Sequence, residues 1–250
     1  VLIEISKLIE RDLDELAEAE SIDNGKPKSL AKMVDIPRAV SNFKFYATAA
    51  MHFASESHQM VGQAINYTLR KPIGVVGCIS PWNLPLYLFT WKIAPALASG
   101  NCVVAKPSEV TPMTAYLFSK LCIEAGLPAG VINIVNGTGE NVGKYLCEHS
   151  LTKLITMTGS TRAGQAIYQS AGKHMIPVML ELGGKAPFIV MEDADIDKAV
   201  EDAVVARFVN CGQVCTCAER LYVHESIYDD FIAKFIPKVK ALKVGDPSKA

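Results

Sequence analysis

From residue 73 onward, short β-rich runs alternate with helical runs, and this rhythm restricts the possible folds more than any other feature of the chain. "GVVGCIS" reads as a buried strand, Leu86 to Ala98 as a helix, "NCVVAKPS" as a strand, Met113 to Ala125 as a helix and "GVINIVNG" as a strand. Helix Glu140 to Glu148, strand "KLITMTGS", helix Arg162 to Gly172, and strands "VMLELGG" and "PFIVM" follow. Strands parted by helices of this length imply βαβ units and an α/β fold whose parallel sheet is covered on both faces. After "EDADIDKAV" a helix runs into the cysteine-rich "FVNCGQVCTCAERLYV", and one more strand and a long helix complete the pattern.

Ahead of this region the periodicity is helical. Leu2, Ile5, Leu8, Ile9, Leu13 and Leu16 place an amphipathic helix over residues 1 to 20, which "DNGKP" punctuates. A second helix is expected from Leu30 to Ala54, carrying Arg38 near Phe43, Phe45 and Tyr46. Residues 55 to 72 are polar and weakly alternating, as an exposed β-hairpin or strand leaving the main body would be.

Composition excludes some function classes. Twenty-five Lys and Arg against twenty-six Asp and Glu, well mixed, give no basic stripe for nucleic acid and no polybasic arm for a lipid surface. The longest apolar runs are of strand length, far below the roughly 20 residues of a membrane helix. Seven cysteines is an odd count with no leader-like stretch before the first helix, so reduced thiols in the cytoplasm are expected rather than a disulfide framework. The chain opens without Met inside a helical pattern and stops at "GDPSKA", as a fragment would.

A parallel α/β sheet binds ligands beyond the carboxyl ends of its strands, so the loops there are the places to look for chemistry. "NGTGENVG", with Gly137, Gly139 and Gly143, and "TGSTRAG", with Gly159 and Gly164, are glycine turns feeding helices. Such turns expose backbone N–H groups to a pyrophosphate, but neither matches G-x-G-x-x-G, and tight turns need glycine anyway. "AKPSEVTP" puts Lys106 and Glu109 past a strand, either gripping the vicinal hydroxyls of a ribose or forming a solvated loop with Ser108 as a cap. "SPWNLP" holds Asn83 in a stiff turn, suited to an oxyanion donor or to satisfying turn backbone. "LELGGKAP" sets Glu181 in an apolar strand. Apolar surroundings suit a general base, and the alternative is a Glu paired with a Lys or Arg across the sheet.

Cys211, Cys215 and Cys217 form C-x-x-x-C-x-C, which lacks the C-x-x-C knuckle and a second ligand pair, so no metal site is expected. Cysteines two apart point to opposite faces, which disfavours a local disulfide. A thiolate nucleophile among the three fits best, and it needs an oxyanion donor and a carboxylate from elsewhere.

In order and spacing, "SPWNLP", "KPSEVTP", "TGST", "LELGGK" and "NCGQVC" resemble the NAD(P)-dependent aldehyde dehydrogenase superfamily over essentially all 250 residues. "ISPWNLPLYLFTWKIAPALASGN" and "IPRAVSNFKFYA" are most similar to the branch that oxidises 2-aminomuconic and 2-hydroxymuconic semialdehydes. The resemblance implies Cys215 as nucleophile with Cys211 and Cys217 as spectators, Glu181 as general base, and Asn83 as oxyanion donor. It also implies a cofactor, NAD, held by Ser80, Pro81, Trp82, Lys106, Ser108, Glu109, Gly139, Gly143, Gly159, Ser160, Gly164, Leu182 and Gly183. Arg38 stands where that branch pairs an arginine with the substrate carboxylate.

By the same resemblance, residues 1–53 and 73–181 would form a Rossmann-like NAD-binding domain and residues 54–72 a protruding oligomerisation hairpin. Residues 182–250 would begin a second α/β, catalytic domain that continues past Ala250 through a Glu-x-Phe-Gly-Pro element. About half of the usual chain is then present, and the full-length form would be a homodimer or homotetramer acting on an aldehyde or semialdehyde. Arg162 and Ala163 depart from the acidic and aliphatic residues common in relatives, which leaves the glycines intact but bears on cofactor contacts. Two rivals accompany this reading. One is a catalytically incomplete fragment that only binds nucleotide or pairs with a subunit. The other is a CoA-acylating enzyme, against which Glu181 as a deacylating base argues.

Overall fold

The computed structural model describes residues 1–247. At the amino end, α1 (Leu2–Arg11) buries Ile5, Leu8 and Ile9, one apolar stripe at helical spacing. The expected single helix over residues 1 to 20 is interrupted at Asp12 (φ −96°, ψ 23°), whose carboxylate binds the Arg11 guanidinium at 2.6 and 2.8 Å. Asp12 itself keeps its N–H on the Leu8 carbonyl and its carbonyl on the Leu16 N–H, both at 3.0 Å. The chain resumes in α2 (Leu13–Asn24), which buries Leu16, Ala17 and, unusually, Glu20, and ends at Gly25. Gly25 has φ 80°, the left-handed cap that only glycine adopts without strain.

The second expected helix is also divided. A turn α3 (Lys28–Leu30) widens into a π-helical turn, Ala31–Asp35, before α4 (Ile36–His52). The Ile36 N–H bonds the Ala31 carbonyl, five residues back, and Pro37 has no N–H with which to carry an α ladder across the junction. Beyond α4, β1 (Ser57–Met60) and β2 (Ala64–Tyr67) pair antiparallel from Ser57↔Tyr67 to Met60↔Ala64, and every residue of both strands is exposed.

The central sheet contains β3 (Val75–Ile79), β4 (Cys102–Lys106), β5 (Ile132–Ile134), β6 (Thr152–Gly159) and β7 (Val178–Leu182), in the order β5-β4-β3-β6-β7. β3 is parallel to both its neighbours, and Ile79 stands opposite Lys106 on one side and Met157 on the other. The carboxyl ends of β3 and β4 therefore lie level, and β6 runs two residues further, to Gly159. Gly77 allows the close packing of β3, since a Cβ there would lie 2.6 Å from Ile155 Cδ1. The helices α5 (Pro85–Ala98), α6 (Met113–Glu124), α7 (Lys144–Glu148) and α8 (Thr161–Gly172) connect the strands. The main core joins these layers to the amino-terminal helices, with Phe118 facing Phe43 at 5.6 Å and Phe89 at 6.1 Å between ring centres.

By packing, the chain divides into two units, Val1–Glu181 and one beginning at Leu182. In the second, β8 (Ala186–Val190) and β9 (Ala218–Val223) pair in parallel. The connecting helix α9 (Ile196–Phe208) is capped by Asp195, which accepts from the Lys198 N–H at 3.2 Å. Together with α10 (Tyr228–Lys240) these elements enclose a separate core of Val190, Val200, Ala203 and Phe231. Among the described residues no helix is long and apolar enough to cross a membrane.

Candidate active site

The first unit carries most of the candidate residues on the loops that leave its sheet. β3 ends in the turn Ser80 to Leu84, with the Ser80 N–H on the Lys106 carbonyl at 3.1 Å, and Pro85 opens α5. Trp82 is exposed and Asn83 half-buried. The carbonyls of this turn point back into the protein: Asn24 Nδ2 donates to Trp82 O at 2.7 Å and Lys26 Nζ to Asn83 O at 3.1 Å. The backbone of Asn83 is thus pinned from below.

Lys106 closes β4 and is buried. Its ammonium donates to the carbonyls of Pro107 and Gly137, both at 2.9 Å, and to Glu109 Oε2 at 3.2 Å. One side chain thereby ties the loop after β4 to the loop after β5. Glu109 keeps half of its side chain exposed, and its own backbone N–H, with help from Lys106, holds its carboxyl below the usual range. An ionised, accessible carboxylate accepts hydrogen bonds and repels phosphate, a match for ribose hydroxyls. Ser108 is buried and accepts weakly from the Val110 N–H at 3.4 Å.

Beyond Gly137, whose φ of 150° favours glycine, Thr138 caps a π-helical turn over Gly139–Gly143, accepting from the Asn141 N–H. A Cβ on Gly139 or Gly143 would meet nothing within 4 Å, so neither glycine is demanded by packing. Gly159 ends β6 and Ser160 caps α8, its hydroxyl accepting from the Ala163 N–H at 3.2 Å. Ser160, Thr161 and Arg162 are exposed around this helix amino terminus, a natural position for an anion.

Glu181 departs from expectation. It is exposed rather than set in an apolar pocket, because β7 is the outermost strand and alternates: Val178, Leu180 and Leu182 are half-buried, Met179 and Glu181 open. Lys92 was not singled out by the sequence reading. It lies buried on α5 and donates to Thr158 Oγ1 on β6. Burial pushes its ammonium down to about 8, opposed by Cys78 and Glu181. The available signal was one lysine inside the apolar run "LFTWKIAPAL".

Arg38, exposed on α4, donates to the Tyr87 hydroxyl at 3.0 Å with its guanidinium 5.2 Å from that ring's centre. Tyr87 in turn stacks on Trp91 at 5.4 Å. Asn42 bonds the Tyr87 carbonyl and Thr90 Oγ1, locking α4 to α5 beneath this exposed patch.

The second unit sets one of the three clustered thiols apart from the other two. Asn210, Cys211 and Gly212 follow one another in the left-handed region at φ 51°, 57° and 73°. Two non-glycine residues in that region store strain of about 1 to 3 kcal/mol each. Cys217 is buried, its thiol donating to the Arg207 carbonyl at 3.1 Å and its sulfur accepting from Arg207 Nη1 at 3.3 Å. Cys215 is exposed. The Gly183 to Gly184 turn, whose Leu182 is half-buried and Gly183 exposed, runs against it, since a Cβ on Gly184 would lie 3.3 Å from the Cys215 carbonyl oxygen. The "LGG" and "GQVC" motifs, some thirty residues apart in sequence, are neighbours.

The sequence profile of the aldehyde dehydrogenase family matches residues 1–250. The 2-aminomuconic semialdehyde dehydrogenase of Homo sapiens is 48% identical over 250 residues, covering 99% of this chain and 51% of that protein. The 2-hydroxymuconic semialdehyde dehydrogenase of Pseudomonas sp. (strain CF600) is 48% identical, over 99% of this chain and 52% of its own. Among solved structures, PnpE in complex with nicotinamide adenine dinucleotide superimposes with a TM-score of 0.96 at 40% identity, over 98% of this chain and 50% of that one. A 3,6-anhydro-L-galactose dehydrogenase in complex with NAP gives 0.94 at 42% identity, over 98% and 52%. The chain spans about half the length of the curated relatives it matches.

Proposed function

The chain belongs to the aldehyde dehydrogenase family, and from that premise we propose that it supplies the cofactor-binding domain and the nucleophile of an enzyme oxidising a carboxylated semialdehyde to the acid with NAD. In this reading residues 1–53 and 73–181 form the NAD-binding domain, and residues 182–250 begin the catalytic domain. The exposed hairpin of residues 54–72 pairs with a second copy in a homodimer or homotetramer. Seven free cysteines suit a reducing compartment such as the cytoplasm.

The residues present fit a dinucleotide. Glu109, held ionised, would take the adenosine ribose hydroxyls beside Lys106 and Ser108, which favours NAD over its phosphorylated form. Gly159, Ser160 and Gly164 would offer the α8 amino terminus to the pyrophosphate, with Gly139 and Gly143 on the adjoining turn. Ser80, Pro81, Trp82, Leu182 and Gly183 complete the set. NAD, when bound, accepts the two electrons and the hydrogen that the aldehyde carbon gives up.

The remaining chemistry falls to the chain. The Cys215 thiol gives up its proton to solvent and, as the thiolate, adds to the aldehyde carbon, forming a C–S bond and an oxyanion that the Asn83 amide stabilises, a contribution of roughly 3 kcal/mol for one well-placed donor. Oxidation of that carbon leaves a thioester on Cys215. Glu181, open to solvent, takes a proton from water, which attacks the thioester, breaks the C–S bond and restores the thiol. Arg38 binds the distal carboxylate of the substrate through its two-pronged guanidinium.

The observation that most supports the reading is the sorting of the thiols. Cys217 is committed to Arg207, whereas Cys211 and Cys215 are both exposed, and of these two Cys215 lies beside the Gly183 to Gly184 turn. The test is NAD-dependent turnover of carboxylated semialdehydes and simple aliphatic aldehydes by the full-length protein, with and without Arg38→Ala. The expected outcome is a loss of about tenfold or more in kcat/KM on carboxylated substrates alone, the scale of one charge-assisted contact. Equal losses on both classes would remove Arg38 from substrate binding, and no turnover of any aldehyde would overturn the function.

A further inference from the structure

Beneath the Ser80 to Leu84 turn three charged side chains are buried together: Glu20 and Asp35 at 0% exposure and Lys26 at 2%. They come from the last turns of α2, the loop past Gly25 and the end of the π-helical turn. Lys26 Nζ lies 2.8 Å from Asp35 Oδ1, 3.6 Å from Glu20 Oε1 and 3.1 Å from the Asn83 carbonyl. Glu20 Oε2 accepts from the Leu86 N–H at 3.3 Å, in the first turn of α5. With Asn24 on the Trp82 carbonyl, the cluster holds the turn at Trp82, Asn83 and Leu86, on both sides of the Asn83 side chain.

Burying charges in this way is a poor route to stability, since apolar replacements of similar volume often serve as well. Two carboxyl groups face one ammonium, and Glu20 Oε1 and Asp35 Oδ2 have no hydrogen-bond partner among the described residues. Burial first, and then the Asp35 charge, push the Glu20 carboxyl up to about 8. Near neutral pH Glu20 therefore keeps its proton.

We infer that Lys26, fixed by Asp35 and Glu20, is a positioning residue for Asn83: its ammonium holds the Asn83 carbonyl and so sets where the Asn83 amide stands. This rests on the reading of Asn83 as the oxyanion donor. Lys26 touches no reacting atom and acts only through the turn. The π-helical turn is part of the device, since it delivers Asp35 to the buried side of α4's entrance.

The test is the single-turnover rate constant for NADH formation by the full-length enzyme at saturating aldehyde and NAD, which counts only competent molecules. Lys26→Met is expected to lower it about 10²-fold, the scale of a misplaced catalytic group, while NAD affinity stays unchanged. In an Asn83→Ala background the same substitution is expected to cost nothing further. An unchanged rate constant for folded Lys26→Met, or a full additional loss in the Asn83→Ala background, overturns the positioning role. If Lys26→Met does not fold, Asn24→Ala takes its place, with an expected loss of about fivefold for one hydrogen bond that vanishes in the Asn83→Ala background. No loss, or an additive one, counts against the inference. Asn83→Ala with an unchanged rate constant overturns the oxyanion reading itself, and the positioning role falls with it.

Discussion

Lys106 Nζ donates to the carbonyl oxygen of Gly137 at 2.9 Å, so that a single ammonium joins the loops leaving two adjacent strands. Because Pro107 O and Glu109 share the same ammonium, Lys106→Met leaves a buried carbonyl without its donor and Glu109 without its partner. A loss of about 1 to 3 kcal/mol in stability follows from the orphaned acceptors. NAD affinity is expected to fall by tenfold or more, measured by calorimetry on the full-length protein, with kcat at saturating NAD much less affected.

Gly184 is a second sensitive point. An alanine there brings a Cβ within 3.3 Å of the Cys215 carbonyl oxygen, closer than most such contacts, and the loop carrying Cys215 must give way by a few tenths of an ångström. Gly184→Ala is expected to lower kcat by about an order of magnitude with little change in NAD affinity, since small displacements of reacting groups are costly. Stopped-flow measurement of the first turnover separates the two quantities.

The raised Glu20 carboxyl makes stability depend on pH in a definite direction. Its value is about 8 in the folded chain against an ordinary value of 4.5, so between these limits the folded state binds more protons than the unfolded state. Its stabilisation is complete below about pH 4.5, declines as pH rises, and is lost once pH passes about 8. Urea unfolding from pH 5 to 9 should show this slope, and Glu20→Gln should flatten it. A slope of the opposite sign that vanishes in Glu20→Gln would show that Glu20 is ionised in the folded chain.

The alternation of strands and helices after residue 73 was legible because each element has its own period and its own flanking turns. The interruptions at Asp12 and at Ala31–Asp35 were not, because the helical periodicity of the side chains survives a local change in backbone angles or in hydrogen-bond spacing. Glu181 was expected in apolar surroundings from its neighbours Leu180 and Leu182, but an edge strand opens one face, and alternation puts Glu181 on it. The Glu20, Lys26 and Asp35 cluster escaped notice for a different reason: charged residues near "DNGKP" read as a solvated turn, and only the fold shows that they are buried. Lys92 was concealed in the same way, by a hydrogen-bond partner, Thr158, that lies on another element.

One of three neighbouring thiols carries the proposed reaction, and aldehyde-dependent NADH formation by single alanine variants of the full-length protein measures directly which one it is. Cys215→Ala is expected to abolish it, while Cys211→Ala and Cys217→Ala keep it within about tenfold of the parent, allowing for strain relief at Cys211 and a small cavity at Cys217. Retained activity in Cys215→Ala, or its abolition in Cys211→Ala with the fold intact, would contradict the assignment.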